Sequence, residues 1–256
     1  MTALRADPLA GLPEVRPGDD LGALLAEAAA RLADGGLREG DVLAVAHKVV
    51  SKAEGRLRGL GAVKPTPRAL DLADRVGGGK DPRQVQVVLD ETAELLRAEH
   101  GVLICRTRHG LVCANAGVDA SNAGTPGTLV LLPLDPDGSA RRLRAALRER
   151  LGVAPAVLVT DSFGRAWRHG QVETAIGMAG LAPLEDWRGR VDGNGRELRA
   201  TWIAVADQAA AAADLVRAKD SAQPAVRLRG LERHVTAGDG PGAVALIRPP
   251  DEDLFV

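Results

Sequence analysis

Val102-Leu-Ile-Cys105 and Leu111-Val-Cys-Ala114, joined through Arg106-Thr-Arg-His-Gly110, read as two short apolar strands folded back on each other. A hairpin is antiparallel by construction, which is incompatible with a plain doubly wound sheet of parallel strands and crossover helices. Upstream, Asp19 and Asp20 stand where a helix cap belongs, before the apolar stripe Leu21, Leu24, Leu25, Ala28 and Leu32, and Gly35-Gly36 ends it. Val42 to Ala46 follows as a buried strand. Thr66-Pro67 and Asp81-Pro82 mark two more helix starts, a capping side chain before a Pro at the first helical position. The second of these helices is expected to carry Val85, Val88, Leu89, Leu95 and Leu96 near one face.

Downstream, Thr128 to Leu132 reads as a strand, Ser139 to Leu151 as a helix and Ala156 to Thr160 as a strand. Leu198 to Val205 alternates like a strand, with Asp207 as a candidate cap for the Ala-rich helix after it. Val226–Leu228 and Ala243–Ile247 read as closing strands before an acidic tail. Helices and strands interleave around antiparallel pairing, so the expected class is α+β with mixed sheets. There is no internal repeat and no low-complexity linker, and the length suggests one large domain or two small ones.

Of 256 residues, 33 are basic and 34 acidic, and 45% are hydrophobic, enough for a sizeable core. The near-zero net charge argues against non-specific nucleic-acid binding. The scarcity of aromatics (Trp167, Trp187, Trp202, Phe163, Phe255) argues against base-stacking platforms. No apolar run approaches a bilayer span, and no apolar signal core follows Met1, so a cytoplasmic protein without membrane partners is expected. Cys105 and Cys113 form no paired motif and lie in apolar runs, as buried free thiols do. The basic side chains are 28 Arg to 5 Lys, a bias more in keeping with an Arg-rich composition than with phosphate binding.

Familiar nucleotide motifs are missing. Gly77-Gly-Gly-Lys80 lacks the preceding Gly and the following Ser or Thr of a Walker loop, and reads as a turn between helices. Three segments carry chemistry instead. Lys48-Val-Val-Ser-Lys-Ala-Glu-Gly-Arg56 directly follows a buried strand, where open α/β sheets bind ligands; its Lys, Ser and Arg suit phosphates or carboxylates, and a solvated loop is the competing reading. Gly117-Val-Asp-Ala-Ser-Asn122 offers a carboxylate, a hydroxyl and an amide, either as hard-cation or phosphate ligands or as an Asx turn. Val157-Leu-Val-Thr-Asp161-Ser162 ends an apolar strand on a metal-capable Asp, beside Arg165 and Arg168, a pair suited to clamping an anion. His169 is a weaker candidate for a base.

In order and spacing, Gly11-Leu-Pro-Glu14, Lys48 to Arg56, Arg108 to Asn122, Thr160 to Gln171, Ala175 to Gly180 and Val205-Ala-Asp207 resemble the coenzyme F420:L-glutamate ligase (F420-0 gamma-glutamyl ligase) family over nearly the whole chain. The resemblance implies GTP-dependent addition of L-glutamate to F420-0, then F420-1, by a homodimer that uses two Mg²⁺ or Mn²⁺ ions and often K⁺. It implies metal ligands at Asp119 and Asp161, with Ser162 at a second metal, and nucleotide contacts at Leu12, Pro13, Glu14, Val15, His47, Lys52 and Asn122. The chain departs from the family at His47, usually small and polar or Gln, and at Gln208, usually Glu. It departs again around Arg217-Ala-Lys-Asp220, where Gly and a metal-binding Glu or Gln are frequent. The resemblance also implies that residues 1–256 form a single catalytic domain, with no nitroreductase-like second domain expected. The chemistry suits the residues: a carboxylate is activated by phosphoryl transfer, glutamate's amine attacks the acyl phosphate, and Lys52, Arg165 and Arg168 offset anionic charge. A non-catalytic paralogue that binds nucleotide or deazaflavin is the alternative, and a metal phosphohydrolase a third reading.

Overall fold

A computed structural model describes residues 3–253; Phe255 lies outside them. The chain begins with β1 (Arg5–Pro8), α1 (Leu21–Ala30), β2 (Val42–Ala46), α2 (His47–Ala53), β3 (Leu57–Gly59), α3 (Pro67–Val76) and α4 (Pro82–Asp90). It continues with β4 (Thr92–Glu99), β5 (Val102–Thr107), β6 (Val112–Ala114), β7 (Thr128–Val130), α5 (Pro136–Leu151), β8 (Ala156–Arg165) and β9 (Arg168–Ala179). The last elements are β10 (Glu185–Asp186), β11 (Trp202–Ile203), α6 (Val205–Asp214) and β12 (Ala225–Arg229).

The central sheet runs β1-β12-β2-β8-β9. Within it β2 and β8 are parallel and every other pairing is antiparallel. This is an α+β fold with mixed sheets, as the hairpin implied. That hairpin is β5–β6, with Cys105 directly opposite Cys113. Both cysteines are buried free thiols. Burial first, then the charge of Asp161, pushes the Cys113 thiol up to about 12, so it stays protonated.

β2 and β8 read as unbroken apolar runs because both their faces are covered. Leu43, Val45, Val157 and Val159 face a core made with α1 and α5. Val42, Ala44, Ala156 and Leu158 face the opposite core, built on α6. A third core joins α3 and α4 to the β4–β5–β6 sheet. Each fully buried Leu or Val contributes about 1.5–3 kcal/mol relative to exposure. The predicted caps hold: Asp20, Thr66 and Asp81 accept amide hydrogen bonds at the starts of α1, α3 and α4. The Gly77–Lys80 segment is the turn between α3 and α4, with three successive left-handed glycines. At the far end of the sheet, Arg227 is fully buried between Asp7 and Asp34, and its hydrogen bond holds the Asp34 carboxyl down to about 2.

Four elements differ from the sequence reading. Lys48 to Ala53 is not loop but α2, because its polar side chains face a cavity instead of solvent. Leu95 and Leu96 lie in β4, since α4 stops at Asp90, where the Thr92 hydroxyl donates to the Val88 carbonyl. Between residues 198 and 205 only Trp202–Ile203 is strand, and Asp207 is no cap: α6 already starts at Val205, and Asp207 accepts the Ala175 amide on β9. Ala243–Leu246 is a 3₁₀ turn whose first amide donates to Asp137. No helix among the described residues is long and apolar enough to cross a membrane.

Candidate functional site

Parallel pairing of β2 with β8 brings two strand carboxyl ends to one edge, in register Ala46 to Thr160. The next residue on each strand is therefore a neighbour of the other. His47 opens α2, and its buried Nε2 lies 3.3 Å from Asp161 Oδ1; its Nδ1 lies 3.3 Å from Ser51 Oγ. Asp161 Oδ1 also accepts the Ser162 amide at 2.8 Å.

Lys48 and Lys52 are four apart and so share one face of α2. Lys48 Nζ contacts Asp119 Oδ2 and Ser121 Oγ, both at 2.5 Å. Lys52 is buried and reaches Glu14 Oε1 at 2.5 Å. Asp119 is placed from the other side. Its backbone bridges to Val130 at the end of β7, and a run of left-handed residues, Asn115, Ala116 and Gly117, leads into it. Left-handed geometry at non-glycine residues is costly, and here it is held by the Asn115 side chain, which accepts from Lys80 Nζ and the Leu103 amide. That assigns the Lys of the Gly77–Lys80 turn a structural task. Gly117 itself has no alternative: a Cβ there would lie 2.6 Å from Leu132 Cγ.

The Asx turn is present too, with the Ser121 amide donating to Asp119 Oδ1 at 2.8 Å. Burial works against the Asp119 charge, but the hydrogen bonds from Lys48 and Ser121 outweigh it and hold the carboxyl below its ordinary range.

These elements enclose a cavity of about 740 Å³, within the range of small-molecule sites. Leu12, Pro13, Glu14, Val15, His47, Lys52, Asp119, Asn122, Asp161 and Ser162 all line it. Arg165 and Arg168 do not. They face each other at the tip of the β8–β9 hairpin, exposed, around a left-handed Trp167, and Arg165 donates to the His169 carbonyl. The chain reverses there, several residues past the sheet edge, and carries both guanidiniums and His169 away from the cavity lining.

The sequence reading missed Glu173 and left Arg217 and Lys219 without roles. Glu173 lies opposite Ser162 in the β8–β9 register and accepts the Ser162 hydroxyl proton. Cross-strand pairing was the signal, but it requires knowing that β8 runs on past Thr160 and that a register shift follows Val159. Glu173 and Arg217 are 4% and 8% exposed and pair at 2.7 Å, a contact of charges not aligned as a hydrogen bond.

Hard divalent cations take oxygen ligands. No three His, Cys, Asp or Glu among the described residues converge closely enough to hold an ion unaided. Asp119 and Asp161 both line the cavity, and among the described residues the one ammonium paired with either is that of Lys48, on Asp119. That surplus of negative oxygen fits a divalent cation completed by water or phosphate oxygens. Ser162 and Glu173, by contrast, are already engaged by Lys219 and Arg217, and do not fit one.

The family described as F420-0:Gamma-glutamyl ligase matches residues 11–230. A protein of Methanopyrus kandleri named coenzyme F420:L-glutamate ligase is 48% identical over 257 residues, covering 100% of this chain and 98% of its own. Proteins of the same name from Methanothermobacter thermautotrophicus and Haloarcula marismortui are each 44% identical, covering 96% and 95% of this chain and 96% and 92% of their own.

Proposed function

The chain belongs to the F420-0:gamma-glutamyl ligase family, and from that premise we propose that it joins L-glutamate to F420-0 in a GTP-dependent reaction. The observation that supports this most is the single cavity edge where Asp119, Asp161, Lys48 and Lys52 meet. Lys48 is paired there with Asp119 and Lys52 with Glu14, which leaves the Asp161 carboxylate without an ammonium partner, a set that suits a metal-bound polyphosphate; the cavity also has room for an acid acceptor.

In this reading GTP's terminal phosphoryl group passes to the F420-0 carboxylate, releasing GDP. Glutamate's amine then attacks the acyl phosphate, an amide forms and phosphate leaves. Asp119 and Asp161 would hold a Mg²⁺ or Mn²⁺ ion, which would supply neutralisation of phosphate charge. Lys52, anchored by its buried stem, places a compact positive charge against the nucleotide, and Lys48 exchanges its contact with Asp119 for phosphate oxygens. Leu12 to Val15 and Asn122 form the wall near Lys52. The Ser162 amide fixes the orientation of Asp161 through Oδ1, with the His47 ring packed beside it.

The test is incubation of the purified protein with F420-0, L-glutamate, GTP and Mn²⁺, followed by mass spectrometry. Glutamylated product in step with GDP is expected, and Asp161→Asn is expected to abolish it without loss of fold. Phosphate release without ligation would identify a phosphohydrolase. No turnover of any kind would favour a non-catalytic nucleotide-binding paralogue.

A further inference from the structure

Beside Ser162, a lysine ammonium occupies the place where the family resemblance expects a second metal ion. Lys219 Nζ donates to Ser162 Oγ and lies 3.9 Å from Glu173 Oε1. The Ser162 hydroxyl in turn donates to Glu173 Oε1, while Arg217 Nη2 pairs with Glu173 Oε2 at 2.7 Å. Both carboxylate oxygens of Glu173 are therefore matched by cationic or donor groups, and the serine hydroxyl is used in both directions. Asp214 lies 3.5 Å from Arg217 and completes a set of two acids and two bases. Asp220 follows on the same exposed loop and also lines the cavity, but it makes no hydrogen bond or ion pair with Ser162 or Glu173 among the described residues.

A divalent ion at Ser162 would have to displace the Lys219 ammonium and sit beside the Arg217 guanidinium. Within the contacting set of Glu173, Asp214, Arg217 and Lys219 it would find no surplus negative charge to offset either. Asp119 and Asp161 differ in this respect: among the described residues the one ammonium paired with either of them is that of Lys48, on Asp119.

We propose that this chain works with one divalent cation, at Asp119 and Asp161, and that Lys219, backed by Arg217, supplies the second positive charge beside Ser162. The proposal rests on the ligase reading for the first cation, but not on any turnover. Lys219 is 71% exposed on the connection between α6 and β12, so its long stem can follow a phosphate oxygen as charge moves from nucleotide to acyl phosphate. A lysine in that place also relieves the enzyme of assembling a second hydrated ion in each cycle.

Manganese stoichiometry tests this directly. The electron paramagnetic resonance signal of free Mn²⁺ is followed as the full-length protein is titrated, with no nucleotide present. Wild type is expected to bind one Mn²⁺ per chain. Lys219→Glu, a change at an exposed side chain with an unchanged melting temperature as control, is expected to bind one more than wild type. Two ions already bound to wild type would overturn the proposal. So would a Lys219→Glu variant that binds no additional ion, because the lysine would then not be what keeps it out. Asp161→Asn separates this from the preceding reading: if wild type's own Mn²⁺ persists in that variant, the assignment of the first cation fails, whatever Lys219 does.

Discussion

Replacing Glu173 with Gln removes one charge from a pair whose partners are 4% and 8% exposed, and leaves the Arg217 guanidinium facing a neutral amide. Breaking a buried ion pair from one side typically costs about 3–5 kcal/mol, because the surviving charge stays desolvated. Arg217 is not wholly abandoned. It retains Asp214 at 3.5 Å, Thr160 Oγ1 at 3.3 Å and the Pro224 carbonyl at 3.3 Å, and it borders the cavity. Those partners place the expected loss at the lower edge, about 2–3 kcal/mol. For a chain of this length each kcal/mol lowers the melting temperature by roughly 2–4 °C, so calorimetry should show a fall of about 4–12 °C. Gln preserves an oxygen to accept from Ser162, so that hydrogen bond is not the source of the loss. The double variant Glu173→Gln, Arg217→Met buries no unpaired charge and should recover at least half of it, a coupling of about 1–2 kcal/mol. A single variant that melts within about 2 °C of wild type, on the same scale, or a double variant that recovers nothing, would refute the claim that these two charges depend on each other.

Lys52→Ala should weaken GTP binding in the presence of Mn²⁺ by about 1.5–3 kcal/mol, the worth of one charge-assisted contact, with Lys52→Arg recovering part of it; unchanged affinity by calorimetry would return Lys52 to a purely structural contact with Glu14. Gly177→Ala puts a Cβ 2.3 Å from the Pro136 carbonyl carbon, backbone that cannot step aside. A loss of at least about 1–3 kcal/mol is expected, and an unchanged melting temperature would show that β9 and α5 are less tightly apposed. Burial, opposed by the Ala175 amide, raises the Asp207 carboxyl above its ordinary range. An acid raised in the folded state stabilises below its unfolded pKa, and that contribution is lost as pH rises through the folded value. Asp207→Asn should therefore match wild type in acid and exceed its stability at neutral pH; wild type being the more stable at neutral pH would contradict this.

The parts of the fold legible in the sequence were those where one physical demand acted alone. Val42–Ala46 and Val157–Val159 announce themselves because strands covered on both faces must be apolar throughout, and Thr66 and Asp81 because a cap before Pro has few other uses. His47 to Ala53 was illegible as a helix for the opposite reason. Its His47, Lys48 and Lys52 line a cavity that needs polar groups, so the pattern that normally marks a solvent face appears on the inner one. Asp119 and Asp161 stood out because each closes an apolar or glycine-bounded segment. Glu173 did not, since its meaning depends on pairing with Ser162 across a shifted register. Arg165 and Arg168 misled because nearness in sequence to Asp161 was taken as nearness in space, whereas a strand of ten residues carries them past the cavity.

Asp161 and Ser162 belong to the same strand as Val157, Leu158 and Val159, which have no exposed surface at all. One part of the cavity lining is thus an extension of an interior strand of the main sheet, while the part that carries Lys219 hangs on the connection between α6 and β12. Amide exchange along Val157–Ser162 should accordingly require opening of the whole sheet, whereas residues 215–224 can open and reclose alone. Ligand entry and product departure then have a path that never loosens the carboxylate of Asp161. On heating, the carboxylate wall should be the last part of the cavity to come apart and, on refolding, among the first to be rebuilt.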